Sequence, residues 1–388
     1  MDKDKRIGTY IESSVVGGES FKAYLPKPLP PEPPLDMSSL YPLLDKASTA
    51  LGRLDGLSIV LPSTSLFLYM YVRKEALLSS QIEGTQSSLS DLLLFEIDET
   101  PGALIDDVTE VSCYVAAMNY GLERLRELPL SLRLIKEIHA KLMNNARGGR
   151  KMPGEFRQSQ NWIGGARPGN AIFVPPPHEK LMECMGDLEN FLHDEKPLPA
   201  LIKAGLAHVQ FETLHPFLDG NGRLGRLLIT LILCAEGVLK QPLLYLSLYF
   251  KANRATYYNH LQSVRETGDW ESWLAFFLTG VINTADQAID TAQTILALFD
   301  HDHQKIEASN KSAAAVATVF RYMQSHPVTN TTSIKEHCNI SLPTVLRSVQ
   351  ALEELGIIKE VTGKARHKIF VYTEYLELLK KGTEPLKY

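Results

Sequence analysis

Cysteine is scarce in this sequence: four residues among 388 (Cys113, Cys184, Cys234 and Cys338), far apart and without a Cys-x-x-Cys pair. That excludes a disulfide framework and a zinc cage, and it fits a reducing compartment. Long apolar runs are also missing. The longest, Leu227 to Val238, is interrupted by Thr230 and Glu236 and is too short to span a bilayer. The N-terminus, Met-Asp-Lys-Asp-Lys-Arg, lacks the apolar stretch of a signal peptide, so a cytoplasmic protein without membrane contact is expected. No Gly-x-x-x-x-Gly-Lys-Ser/Thr occurs, which excludes a P-loop. A dominant charge sign is absent too. Lys plus Arg (40) against Asp plus Glu (45) leaves −5, too mild for a histone-like or membrane-coating protein.

What is present reads as a packed chain of two or three domains, at about 150 residues each. The charge is unevenly spread: Lys311 to Tyr388 holds 11 basic and 7 acidic residues, +4, and the remainder 29 against 38, −9. A basic end on an acidic body suggests a separate module with its own partner. Near the N-terminus, Leu25-Pro-Lys-Pro-Leu-Pro-Pro-Glu-Pro-Pro34 must be extended. It reads either as a stiff strap on its own domain or as a ligand for an aromatic groove elsewhere.

Helical spacing of apolar residues runs from Met37 to about Phe95, then through Val108–Glu127 and Ser131–Asn145, with Ser131 as a cap and Gly148-Gly149 as a stop. Between Gln160 and Val174 the period fails, and two short strands around a Gly/Pro turn are expected. Helices resume over His178–His193, Ala200–Leu214, Arg223–Ala235, Ala255–Thr267 and Trp270–Leu298. The polar stretch Asp300–Lys311 looks like a boundary. Beyond it the pattern is helix (Ser312–Ser325), short helix (Thr332–His337), helix (Ser341–Leu355, with Pro343 in its first turn) and two strands (Ile358–Val361, Lys368–Tyr372). Together these spell a winged helix-turn-helix.

The densest chemistry lies in His215-Pro-Phe-Leu-Asp-Gly-Asn-Gly-Arg-Leu-Gly-Arg226. Pro216 discourages helix at His215, so the preceding helix stops with the imidazole at its exit. Asp219-Gly-Asn-Gly222 then offers backbone N–H groups in turned conformations, and a helix starts immediately after. Amides and positive helix end converge on one spot, an anion cradle. Arg223 and Arg226, three apart, bring guanidinium forks suited to phosphate oxygens. Asp219 brings a carboxylate of the kind Mg²⁺ needs beside bridged phosphates. Phe217 reads as an anchor into the core. Taken singly, His215 could be a core histidine and Asp219 a turn residue; their conjunction reads as a phosphoryl- or nucleotidyl-transfer site. The Gly-x-Gly-x-x-Gly spelling ending at Gly225 is no dinucleotide fingerprint, because a helical pattern precedes it and no acidic residue follows about 20 positions on.

This segment resembles the Fic (filamentation-induced-by-cAMP) motif, His-x-Phe-x-Asp/Glu-Gly-Asn-Gly-Arg-x-x-Arg, at His215, Phe217, Asp219, Gly220, Asn221, Gly222, Arg223 and Arg226. The likeness covers most of residues 37–300. It implies a mainly α fold: a helical core with a small β-hairpin flap, an N-terminal helical inhibitory region and the C-terminal winged helix-turn-helix. Residues 1–110, 111–300 and 311–388 are the expected domains. It implies transfer of AMP from ATP to a Ser, Thr or Tyr hydroxyl of a protein. His215 would accept the proton and Asp219 would hold Mg²⁺. Gly220, Asn221, Gly222, Arg223, Leu224, Gly225 and Arg226 would bind the phosphates, and Tyr257 and Tyr258 would line the adenine pocket. The tyrosine pair could equally be helix packing. The hairpin at Gln160–Val174 resembles the flap that holds a target segment by strand addition.

Ser79-Ser-Gln-Ile-Glu83-Gly84 is unremarkable alone. Beside the Fic motif it resembles the inhibitory signature Ser/Thr-x-x-x-Glu-Gly/Asn. By that resemblance Glu83 pairs with Arg226 and denies it to the γ-phosphate, with Ser79 on the same helix face and Gly84 ending the helix. Removal of AMP by the same site is a further expectation. The rival reading is a winged-helix DNA-binding regulator or adaptor with a nucleotide-sensing Fic domain. There Ser341, Thr344, Arg347, Ser348 and Gln350 would enter a groove, and Lys364, Arg366, His367 and Lys368 would lie on phosphates. The same module could instead dock a partner or form a homodimer.

Overall fold

The computed structural model describes residues 3–14, 19–60, 64–97, 104–144, 151–194, 198–309, 313–364 and 368–386. The expected stop at Gly148-Gly149, the boundary residue Lys311, and Arg366 and His367 lie outside them. Among the described residues no helix is long and apolar enough to cross a membrane.

Helices α1 (Tyr41–Val60), α2 (Thr64–Ile82), α3 (Leu89–Glu96), α4 (Ile105–Arg124) and α5 (Leu132–Leu142) precede the irregular 151–177 stretch. Then come α6 (His178–His193), α7 (Ala200–Leu214), α8 (Asn221–Ala235), α9 (Ser247–Ala252), α10 (Arg254–Thr267) and α11 (Trp270–Ala308). The starts follow local chemistry. Ser131 caps α5 by accepting from Leu134 N, and Ser88 with Asp91 forms a reciprocal capping box on α3. Every residue of α7 from Leu201 to Leu214 is buried, so this helix is the axis of the bundle. Its polar residues are buried with it and need partners: Lys203 pairs with Glu236 at 2.6 Å, and Gln210 Nε2 donates to Lys27 O at 3.0 Å.

Two features precede the bundle. Strands β1 (Thr9–Ser14) and β2 (Ser20–Leu25) pair antiparallel, with Tyr10 opposite Tyr24, a hairpin that the residue pattern did not announce. The proline segment after it lies on its own bundle. Arg6 donates to the carbonyls of Pro33 (2.7 Å) and Pro34 (2.5 Å) while pairing with Glu271 at 2.8 Å.

Three expectations change. The Gln160–Val174 segment is no two-stranded hairpin: a single bridge joins Ile163 to Phe173, and a 3₁₀ turn occupies Pro168–Asn170. Gly164, Gly165 and Gly169 give the chain too little side chain to pair as a ladder. Instead Val174 O accepts from Tyr24 N at 2.9 Å, attaching this segment to β2. Second, α11 does not stop before Asp300 but runs 39 residues to Ala308. Asp302, read as loop, is buried, and its carboxylate accepts from Tyr372 Oη at 2.7 Å. Third, the last region holds more than helix, short helix, helix and hairpin. Besides α12 (Ala313–Ser325), α13 (Thr331–Cys338) and α14 (Leu342–Glu354, capped by Ser341), it has a sheet of β3 (Val328–Asn330), β4 (Lys359–Glu360) and β5 (Ile369–Val371), ordered β3-β5-β4, and a final helix α15 (Thr373–Lys380). Its apolar residues join the same buried core as the bundle.

Candidate active site

Helix α7 ends at His215, whose backbone is left-handed (φ 46°), a conformation an L-residue adopts only when its surroundings hold it there. Arg157 Nε and Asn161 Nδ2 each donate to His215 O at 3.1 Å. Asn221 reaches back across the turn: its Oδ1 accepts from Phe217 N and its Nδ2 donates to Phe217 O, both at 2.8 Å. Phe217 is fully buried and stacks on His139 of α5 with ring centroids 3.7 Å apart. The loop is thus pinned from below by a ring and from the side by three amide and guanidinium donors.

His139 was not singled out from the sequence, yet it braces the same loop. Its Nδ1 accepts from Gly154 N at 2.8 Å, so Nε2 carries the proton and donates to Asp219 O at 3.0 Å. Burial pushes its pKa down to about 4, consistent with a neutral ring in that role.

Gly220 (φ 76°) turns the chain into α8, a conformation that favours glycine. Asp219 Oδ1 accepts from Gly220 N at 2.7 Å, and its Oδ2 faces Lys151 Nζ at 3.0 Å. Desolvation works to raise the Asp219 pKa, but the lysine and the amide outweigh it and hold the carboxyl below its usual range. Leu224 and Gly225, named for phosphate binding, face helix packing instead. Leu224 is buried in the core with its N–H donating to Gly220 O at 3.0 Å, and Gly225 lies against Glu212. That amide is spent within the helix, so only the residues of the first turn remain to meet an anion.

The two arginines stand on the same end of α8 and are both buried. Arg223 Nη1 pairs with Glu110 Oε2 of α4 at 3.2 Å, and its Nε has no hydrogen-bond partner among the described residues. Arg226 faces α2: Nε donates to Ser79 Oγ at 2.8 Å, Nη2 to Ser79 O at 3.0 Å and to Glu83 Oε1 at 2.6 Å. Gly84 (φ 111°) follows immediately and ends that helix. Desolvation opposes ionisation of Glu83, yet the Arg226 charge prevails and holds its pKa below the ordinary carboxylate value. A serine in the last turn of α2 and a glutamate four positions on, just past its end, therefore grip one guanidinium of α8.

His215 itself has a buried Nδ1 without a hydrogen-bond partner among the described residues. Burial, then the charges of Arg265 and Arg157, push its pKa down to about 4. Of the two tyrosines, Tyr257 is fully buried, its hydroxyl donating to His208 Nε2 at 2.8 Å while His208 Nδ1 donates to Gly225 O at 2.9 Å. Tyr258 alone of the pair shows surface, with the Arg254 guanidinium 5.2 Å from its ring centre. His139, Arg157, Asn161, Glu212 and Arg265 form no spaced motif with the His215 loop, so nothing in their own sequence context marked them.

Residues 41–123 match the family described as Fic/DOC family N-terminal, and residues 129–233 match the Fic/DOC family. A Drosophila grimshawi protein named protein adenylyltransferase Fic is 30% identical over 191 residues, covering 48% of this chain and 36% of that protein. An Aquifex aeolicus (strain VF5) protein named "probable protein adenylyltransferase" is 30% identical over 173 residues, 45% of this chain and 51% of that one. The chain thus spans 36% to 51% of the length of these curated relatives. A crystal structure of a Fic family protein from Desulfovibrio desulfuricans G20 aligns at a TM-score of 0.55 and 19% identity, over 86% of this chain and 96% of that one, a likeness of fold. Residues 41–123 and 129–233 are thus similar to Fic/DOC family domains, and the chain shares the mainly helical fold of the solved Fic family protein.

Proposed function

We propose that this protein is an autoinhibited adenylyltransferase that moves AMP from ATP onto a Ser, Thr or Tyr hydroxyl of a protein. One observation carries the reading: an imidazole, an outward carboxylate, a glycine turn at a helix start and two guanidiniums converge within one loop, and the second guanidinium is held by Glu83. The names of the relatives supply the nucleotide; the geometry supplies the chemistry.

In this reading His215 takes the proton of the attacking hydroxyl as its oxygen bonds to the α-phosphorus and the bond to the pyrophosphate oxygen breaks. Its neutral state at cytoplasmic pH suits a base. The N–H groups of Asn221 and Gly222, with Arg223, face the charge gathering on the leaving pyrophosphate. Asp219 would hold Mg²⁺. One carboxylate, 36% exposed, with no larger His/Cys/Asp/Glu group among the described residues, fits an ion that keeps several waters and shares the nucleotide's phosphates. When bound, Mg²⁺ supplies charge neutralisation on those phosphates.

Glu83 is the brake. While its carboxylate holds Arg226, that guanidinium cannot meet a γ-phosphate, and an extra negative charge stands where the nucleotide brings more. The test is incubation of the full chain with labelled ATP. Glu83→Gly should raise incorporation at least tenfold, a coupling of about 1.4 kcal/mol, and adding His215→Ala should abolish it. No AMP adduct by mass spectrometry on the Glu83→Gly protein, or an adduct on the double variant, refutes the assignment.

A further inference from the structure

Two arginines that nothing in the motif mentions converge on the end of α7. Arg157, from the stretch before the Ile163–Phe173 bridge, is 3% exposed, and its guanidinium donates to the carbonyls of His215 (3.1 Å), Ser159 (3.2 Å), Pro176 (2.5 Å) and Leu214 (3.4 Å). Arg265, from α10, is 6% exposed; Nη2 donates to Glu212 O at 3.2 Å and Nε to Thr213 Oγ1 at 3.1 Å. Its remaining flank lies 4.0 Å from the centre of the Phe173 ring. Among the described residues neither guanidinium has a carboxylate within ion-pair distance; their acceptors are neutral oxygens.

That is an expensive arrangement. A buried cation normally brings its own anion, because desolvation costs several kcal/mol. Capping the last carbonyls of α7 does not by itself call for it, since an exposed lysine or arginine would serve. What the two guanidiniums share is the end of α7: Arg157 donates to the carbonyls of Leu214 and His215, and Arg265 to Glu212 O and Thr213 Oγ1, so both charges stand close to the residue that carries the imidazole. Two groups act on that ring in the opposite sense, the carboxylate of Glu83 just past α2 and the neutral carbonyl of Glu212 from α7, and both favour a protonated imidazole. The Glu212 carboxyl is buried, pushed up to about 7 by burial, and its Oε1 has no hydrogen-bond partner among the described residues. The helix end and an arriving triphosphate would add to that pull toward imidazolium, which cannot accept a proton.

We propose that Arg157 and Arg265 are positioning residues that form a positive collar at the end of α7 and keep the His215 imidazole unprotonated, its lone pair free to accept a proton, while the negatively charged nucleotide is bound. The collar deepens the adenylyltransferase reading and assigns these two residues a part in the same reaction. Because Arg265 lies on Phe173 and Arg157 donates to Pro176, the collar also ties the segment 160–177 to the base.

The test follows the His215 ring by NMR titration of selectively labelled full-length protein, which needs no turnover. In the unmodified chain the midpoint is expected below pH 6.5, the ordinary histidine value. In Glu83→Gly protein with a non-hydrolysable ATP analogue it should remain below 6.5. A midpoint at or above 6.5 in either case overturns the proposal, whatever the variants do. Arg265→Gln and Arg157→Gln should each move it upward by roughly one pH unit, as expected for losing a like charge nearby. Arg265→Lys should restore it. In the Glu83→Gly background the acid limb of kcat/KM should move by the same amount. A uniform loss of rate with an unmoved limb marks a merely structural role and refutes the collar. If Glu83→Gly protein transfers nothing at any pH, the enzymatic reading fails, while the ring titration still decides the collar.

Discussion

Glu83 lies against Gly222: a Cβ on that glycine would stand 2.3 Å from Glu83 Oε1 and 3.2 Å from an Arg226 nitrogen. The turn that follows α2 thus brings the Glu83 carboxylate onto the first turn of α8, at the point where the carboxylate meets the guanidinium. Gly222→Ala should push the two apart. We expect a lower melting temperature in the otherwise unmodified chain, and partial restoration when Glu83→Gly is added, because the methyl then has room. The non-additivity should be about 0.5–3 kcal/mol. Additive effects in thermal denaturation would mean that the contact is absent.

Stability should depend on pH through two opposed sets of buried groups. His139, His208 and His215 have pKa values pushed down by burial to about 4, 3 and 4. The unfolded chain therefore binds more protons below pH 6.5, and their contribution is lost as pH falls from 6.5 toward 4. Glu75 and Glu212 are pushed up by burial to about 7, so theirs is present at low pH and lost as pH rises from 4.5 to 7. Glu212→Gln removes one of the alkaline losses. Its stability relative to the unmodified protein should rise with pH across that window, by at most about 1.4 kcal/mol per unit. Denaturant midpoints at pH 4.5 and 7.5 check the sign, and a gain that shrinks with pH contradicts it.

Lys151 sits on the carboxylate that would hold Mg²⁺. Chelation of divalent cations should abolish nucleotide transfer by the Glu83→Gly protein, and Asp219→Asn should cost on the order of 100-fold, as for a charge-stabilising group in other active sites. Lys151→Met should lower the Mg²⁺ concentration giving half-maximal rate, since the ion no longer displaces an ammonium. An unchanged half-maximal concentration would show that the lysine does not compete.

The C-terminal region holds the end of α2 from behind. Gln81, buried two residues before Glu83, donates from Nε2 to Ser87 O and Thr383 O, both at 2.9 Å, and accepts from Lys251 Nζ at 2.7 Å. Lys251 also donates to Glu384 O, and Lys74 Nζ to Lys381 O at 3.0 Å. Gln81→Leu leaves these buried groups unpaired, at a cost of about 1–3 kcal/mol. It should raise transfer from labelled ATP severalfold with Glu83 still in place. A lower melting temperature without that rise would show that the tail stabilises the helix without restraining the brake.

The loop from His215 to Arg226 was legible because its cues are local. Pro216 stops one helix, Gly220 takes a positive φ, and Asn221 opens the next helix while bonding back to Phe217 four residues away. Many of the helices were legible for the same reason, down to the Ser131 cap, whereas Ser341, read as helix, caps α14 from outside it. Short-range pattern was less informative where pairing partners lie far off. The segment Gln160–Val174 was expected to pair with itself, whereas Val174 is claimed by Tyr24, 150 positions earlier. The polar letters after Leu298 resembled a linker, but Asp302 is a buried acceptor for Tyr372.

By itself the sequence determined which chemistry one loop can offer, because backbone turns and helix starts depend on neighbours a few residues away. Only the tertiary structure decided what surrounds that loop. Glu83 reaches Arg226 across 143 positions, and Arg157 and Arg265 reach the end of α7 across 57 and 53. Such contacts carry no periodicity or spacing. They exist because α2 packs on α8 while α8 and α10 pack on a helix whose every residue from Leu201 to Leu214 is buried, and packing is a property of the whole chain.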